Sequence, residues 1–229
     1  MSEQAWIPSS FKVLVSGETG TGKTYFGLTF PKVVHLATEP NASDTARANP
    51  HLRQNIVHYE EFMPSPSEDI KQVFVRLDAA IKAAFALAKE GKAETLFLDN
   101  MTFLAQNRWL YIDQYEKQYS EKTGKEDTRG MYGALGMWLY KFTLTSLVSF
   151  PGNVVVSCHE QRDDEEDLKK VVDPTVPVTP NILGSFRNKF PDEHKFVPEN
   201  IGTILLTGPL FVAGFVGVIA GDDLSERRV

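Results

Sequence analysis

The run Gly17-Glu18-Thr19-Gly20-Thr21-Gly22-Lys23-Thr24 follows the pattern G-x-x-x-x-G-K-[ST], and both flanks carry the signals that this pattern needs. Residues 11–15 form a short apolar run that reads as a buried strand. Residues 25–30 continue without a breaker until Pro31, as a helix does. The glycines let the backbone fold tightly and turn its N–H groups toward a phosphate. Lys23 then places a point charge on the outer phosphates, and the hydroxyl of Thr24 is a ligand for magnesium. Gly17, Glu18, Thr19, Gly20, Thr21, Gly22, Lys23, Thr24 and the adjoining Tyr25 are therefore the candidate nucleotide contacts. A plain Gly/Thr turn between a strand and a helix needs neither Lys nor Thr at its end, so the loop chemistry favours nucleotide binding.

A chain of 229 residues suits a single α/β domain with a sizeable core, and a hydrophobic content of 42% excludes disorder throughout. The net charge of −6 and pI near 5.4 argue against a surface coated in nucleic-acid-binding charge, while leaving room for one basic groove. The single cysteine, Cys158, excludes an internal disulfide and fits a reducing compartment such as the cytoplasm. Residues 1–10 carry Glu3 and no long apolar core, so a secretory signal is not expected.

Residues 33–38 read as a second strand that ends at Glu39-Pro40-Asn41. Residues 41–54 read as a polar surface connection, and 55–59 as a short strand. Helical spacing is clearest over 67–90, where Ile70, Val73, Phe74, Leu77, Ile81, Ala84, Phe85 and Ala88 share a face. Ser67 is the expected cap and Gly91 the stop. The strand 95–98 delivers Asp99, and a helix is expected over 102–119. After a charged loop at 120–129, a long apolar helix is expected over 131–150, with Met137, Leu139, Tyr140, Leu144 and Leu147 as core candidates. A further strand at 153–158 leads into His159 and Glu160. This alternation argues for a largely parallel sheet with crossover helices. Residues 161–181, with an acidic cluster and three prolines, read as an extended loop at the carboxyl end of that strand. Residues 201–221 are charge-free for long enough to cross a bilayer, but their glycines and Pro209 suit a β-hairpin, 203–207 and 211–219, better than a tail anchor.

Asp99 ends an apolar strand downstream of the loop, where a carboxylate holds magnesium together with Thr24; the bland reading is a helix cap. Hydrolysis also needs a group that orients or deprotonates water. Many P-loop ATPases place a glutamate directly after this aspartate, but here the residue is Asn100. The base must come from elsewhere. Glu39, at the carboxyl end of the second strand, is the first candidate and Glu160 the second. His159 is placed to sense the γ-phosphate or to be a packed strand-end histidine, and Cys158 points to the opposite face. Position 102 is Thr where a GTPase D-x-x-G element needs Gly, and 188–192 misses the N-K-x-D spacing by one. A nucleotide-kinase lid would need several arginines, and 161–181 offers Arg162 alone.

Gly17 to Thr24, Glu39 after a strand, Asp99-Asn100-Met101-Thr102 and the strand leading to Glu160 together resemble the RecA-like phage ATPases labelled AAA-domain or nucleotide-binding proteins. The stretches 127–136, 150–153 and 180–184 are similar to that phage family in particular, and the likeness covers about residues 10–190. It implies an α/β fold, a RecA-like P-loop NTPase whose mostly parallel central sheet is flanked by helices, with ATP and Mg²⁺ as cofactors. It further implies that the glutamate matching Glu39 activates water and that the residue matching His159 couples phosphate to DNA, with DNA loops near 117–130 and 161–181. Members are associated with single-strand annealing and recombination beside a single-strand-binding protein, which makes single-stranded DNA and that protein the implied partners, and a homo-oligomer suits such a core. The acidic run 163–167 departs from that expectation, and the alternatives are a motor or switch that engages a protein partner without DNA, or a non-catalytic nucleotide-binding module.

Overall fold

The strands β2 (Val33–Ala37) and β4 (Thr95–Asp99) are buried along their whole length, the pattern of a parallel sheet covered on both faces. The computed structural model describes residues 10–121, 123–162, 178–180 and 201–205; for 160–162, 178–180 and 201–205 it describes the backbone alone. The chain runs β1 (Lys12–Gly17), α1 (Lys23–Leu28), β2, α2 (Ser43–Ala48), α3 (Pro50–Arg53), β3 (Ile56–Glu61) and α4 (Ile70–Lys89). It continues through β4, α5 (Met101–Tyr115), α6 (Thr128–Phe142), a π-helical turn (Thr143–Val148), β5 (Asn153–Arg162), β6 (Val178–Pro180) and β7 (Ile201–Leu205). The sheet order is β3-β2-β4-β5-β1-β7, all parallel, and β6 pairs antiparallel with the far end of β5. The chain therefore has the expected α/β fold, with a mostly parallel sheet between helices. Its consequence for the site is that β5 lies between the strand feeding the phosphate loop and the strand carrying Asp99.

Alternating side chains build two cores. On one face, Leu14, Leu36, Leu98, Val156 and Cys158 pack under α4, α5 and α6. On the other, Val15, Val33, Phe97 and Val155 pack under Leu28 of α1, Ala46 of α2 and Leu52 of α3. The phosphate-loop helix thus rests directly on the face that Asp99 shares with Phe97.

The helix expected at 67–90 forms as Ile70–Lys89, capped by Asp69, whose carboxylate accepts the Lys71 N–H at 2.8 Å. The expected cap, Ser67, lies outside it, since a free N–H of the first turn is taken by Asp69, which also accepts the Tyr115 hydroxyl at 2.5 Å. Gly91, at φ 71°, supplies the left-handed stop. The polar connection expected at 41–54 contains α2 and α3, the second opened by Pro50 at its first turn. The helix expected over 131–150 begins at Thr128, where Asp127 accepts the Gly130 N–H. Its inward face is Met131, Leu135, Leu139 and Phe142, so Met137, Tyr140 and Leu144 face outward instead. Its last turns widen into the π-helical segment, where the hydroxyls of Thr145 and Ser149 bond back to the carbonyls of Lys141 and Thr145 and compete with the helical ladder. Of the hairpin expected at 201–221, residues 201–205 form β7 alongside β1, and the partner segment 211–219 lies outside the described residues. No helix among the described residues is long and apolar enough to cross a membrane.

Gly27 shows how tightly α1 sits: a Cβ there would lie 2.4 Å from ring atoms of the fully buried Phe97. Gly27→Ala is expected to destabilise the protein by about 1–3 kcal/mol through overpacking. Chemical denaturation reads the loss, and an unchanged midpoint would contradict this packing.

Candidate nucleotide site

The loop after β1 turns on Gly20 at φ 82° and Gly22 at φ 90°, conformations that favour glycine, and Gly22 is the residue from which α1 starts. A Cβ at Gly20 would meet nothing within 4 Å, so this stretch of the loop is open above its backbone. The Thr21 hydroxyl donates to the Glu18 carbonyl at 2.8 Å and closes the turn. Lys23 is buried, and its Nζ donates to the carbonyls of Gly17 at 2.9 Å and Glu18 at 2.8 Å, which holds the ammonium at the loop rather than in the core. Tyr25, next along α1, places its hydroxyl 3.2 Å from Nε2 of His51 on α3.

Asp99 is fully buried at the end of β4. Thr24 donates its hydroxyl to Asp99 Oδ2 at 2.9 Å, and Nε2 of His35 on β2 lies 3.3 Å from the same oxygen. The Ser157 hydroxyl, from the intervening β5, donates to Oδ1. Burial pushes this carboxyl up, but the hydrogen bonds from His35, Ser157 and Thr24 more than offset it and hold Asp99 below the ordinary carboxylate range. Asp99 is not the cap of α5. That role falls to Asn100, whose Oδ1 accepts the Thr102 N–H at 2.7 Å. A threonine hydroxyl and an ionised carboxylate converging beside the phosphate loop are hard oxygen donors, a set that fits magnesium.

Asn100 has a second contact. Its Nδ2 donates to Glu39 Oε2 at 3.1 Å, and its backbone exchanges hydrogen bonds with the Thr38 hydroxyl. Glu39 follows β2 by two residues, and its N–H donates to the Asp99 carbonyl at 3.2 Å. Its other oxygen, Oε1, lies 3.6 Å from Nε2 of His159, whose own N–H donates to the Thr102 hydroxyl at 3.0 Å. The ring of His159 also meets Phe103 edge-on at 5.7 Å. Lys23, Thr24, Asp99, Glu39 and His159 therefore all lie at the carboxyl ends of the parallel strands, where such sheets gather ligands. Glu160 continues β5 opposite Pro180 of β6, and its side chain lies outside the described residues.

Sequence reasoning missed His35, Ser157 and the double role of Asn100. The polar residue inside each buried strand, His35 in VVHLA and Ser157 in VVVSC, was the available signal.

A phosphate loop between a strand and a helix, with a buried aspartate ending a parallel strand beyond one intervening strand, defines a P-loop ATPase. A model of the AAA domain family matches residues 9–197, and the chain belongs to that family. Among solved structures, it is similar to the KaiC-like protein of the hyperthermophilic archaeon Pyrococcus horikoshii OT3, at 16% identity and a TM-score of 0.38. That match covers 67% of this chain and 64% of the other, so this chain spans just under two thirds of that protein. No curated protein matches the chain in sequence.

Lys23→Ala is expected to weaken ATP binding at least tenfold, since a charge-assisted contact contributes about 1.5–3 kcal/mol, while circular dichroism stays that of the folded protein. Wild-type affinity and turnover in the folded variant would contradict the site.

Proposed function

We propose that the chain is a Mg²⁺-dependent ATPase of RecA type that acts in phage DNA recombination or replication, in the cytoplasm of a bacterial host, and engages single-stranded DNA. The observation that supports the chemistry is the placement of Glu39 beside Asn100 and His159, next to Asp99 at the end of β4, to which Thr24 in the first turn of α1 donates. A magnesium ion bound with the nucleotide would neutralise phosphate charge and polarise the terminal phosphoryl group. Lys23 and the loop N–H groups hold and orient the phosphates, and Thr24 and Asp99 would hold the ion. Glu39 takes the proton of the attacking water, with Asn100 fixing one carboxylate oxygen and leaving the other for water or for His159. His159, on the strand that runs out to β6, is placed to report on Glu39 to the segment beyond β5. Glu160 is the neighbouring carboxylate in that coupling role.

Glu39→Gln keeps the hydrogen bond from Asn100 but cannot accept a proton. It is expected to bind ATP normally and to lose on the order of 10²-fold or more in turnover. Glu160→Gln is expected to cost less. The reverse order in steady-state kinetics would move the base to Glu160.

The DNA part of the reading draws on the sequence resemblance and on basic residues in an otherwise acidic chain. Arg129 lies at the start of α6, and Arg187, Lys189 and Lys195 lie outside the described residues. The acidic run 163–167 favours a second reading, an ATP-driven switch that engages a protein partner, such as a single-strand-binding protein, without touching DNA. Fluorescence anisotropy with labelled single-stranded DNA is expected to give weak binding that falls steeply with salt. Absence of binding at low salt with ATP present would support the protein-partner reading instead.

A further inference from the structure

The strand β2 reads Val33-Val34-His35-Leu36-Ala37, and its one polar side chain is as buried as its neighbours. The His35 ring is stacked on Phe97 at 4.8 Å with 12° between planes, and Tyr59 of β3 closes the other side at 5.1 Å. This sandwich leaves the imidazole little freedom to rotate. Nε2 faces Asp99 Oδ2 at 3.3 Å, while Nδ1 is buried with no hydrogen-bond partner among the described residues.

These contacts select the tautomer. A proton on Nδ1 would bury an N–H without an acceptor and turn the Nε2 lone pair against a carboxylate. The proton therefore sits on Nε2 and is donated to Asp99. For packing alone, a phenylalanine would stack as well on Phe97 without burying a bare nitrogen, so the contact with Asp99 is the feature that distinguishes histidine here.

We propose that His35 is a positioning residue for the metal-side carboxylate, holding Asp99 in the orientation that presents it to Thr24 and to a divalent cation. The proposal rests on the reading of Thr24 and Asp99 as the magnesium site. Ser157 anchors Oδ1, and Oδ2 is shared by Thr24 and His35. Thr24 is the one donor on Oδ2 whose own oxygen serves the cation. His35 supplies an anchor on that oxygen which does not change when the cation arrives, and so keeps the carboxylate plane fixed.

The test uses the full chain with His35→Phe, which keeps the stacked ring and removes the donor, and His35→Gln, which restores an N–H near the Nε2 position. Thermal melts establish folding, and His35→Leu replaces the Phe variant if that one does not fold. The readouts are the Mg²⁺ concentration that half-saturates binding of a fluorescent ATP analogue, its affinity in EDTA, and Mn²⁺ binding to the nucleotide complex by electron paramagnetic resonance. His35→Phe is expected to raise the half-saturating Mg²⁺ concentration, and to weaken Mn²⁺ binding, by about tenfold or more, as loss of a group behind a metal ligand does. Affinity in EDTA should be unchanged, and His35→Gln should restore most of the metal dependence. A folded Phe or Leu variant with wild-type metal dependence would overturn the proposal, as would a Gln variant no better than Phe. Asp99→Asn separates the two layers: if it leaves metal dependence unaltered, the magnesium-site reading itself falls.

Discussion

The buried carboxylate of Asp99 is the interaction on which the rest of the site depends. An ionised group with no exposure costs several kcal/mol in lost hydration, and the fold offsets this with donors from three different elements: Thr24 on α1, Ser157 on β5 and His35 on β2. Hydrogen bonds to a charged group contribute about 1.5–3 kcal/mol each, enough in sum to hold the carboxylate ionised. The strand order makes this possible. Because β5 lies between β1 and β4, and β2 flanks β4 on the other side, Asp99 has a neighbouring strand on each hand to supply a donor. The same arrangement fixes the helix after the phosphate loop, since Thr24 is tied to Asp99 while Gly27 of that helix rests against Phe97 on the same strand.

A second layer is built on the residue after Asp99. Asn100 caps α5 with its Oδ1 and holds Glu39 with its Nδ2, so one side chain links a helix start to the candidate water-activating group. A glutamate at this position could accept a proton but could not donate to Glu39. The asparagine is thus consistent with a site in which the carboxylate comes from the neighbouring strand and the residue after the aspartate orients it. His159 extends the cluster to β5, whose far end pairs with β6.

Much of this was legible in the sequence because its signals are local. The phosphate loop is a contiguous motif whose glycines are needed at φ 82° and 90°, and α4 announces itself by a repeated apolar spacing. Asp99 was legible as the end of an apolar strand. What the sequence withheld depends on which face a residue takes and on strand order. Ser67 and Asp69 are both good caps, and a tertiary bond from Tyr115 to Asp69 accompanies the choice. The inward face of α6 is the stripe Met131, Leu135, Leu139 and Phe142 packed on the core, and in a helix apolar nearly all round the sequence does not tell this stripe from the exposed Met137 and Tyr140. His35 and Ser157 lie far from Asp99 in sequence, and only the order of the strands brings them to one carboxylate.

The most direct test of the central claim is release of inorganic phosphate from ATP by the purified full-length protein, followed first in Mg²⁺ and then after chelation. The account predicts release that is proportional to protein concentration and abolished by the chelator. Tight ATP binding without phosphate release above the protein-free rate, or release indifferent to chelation, would contradict it.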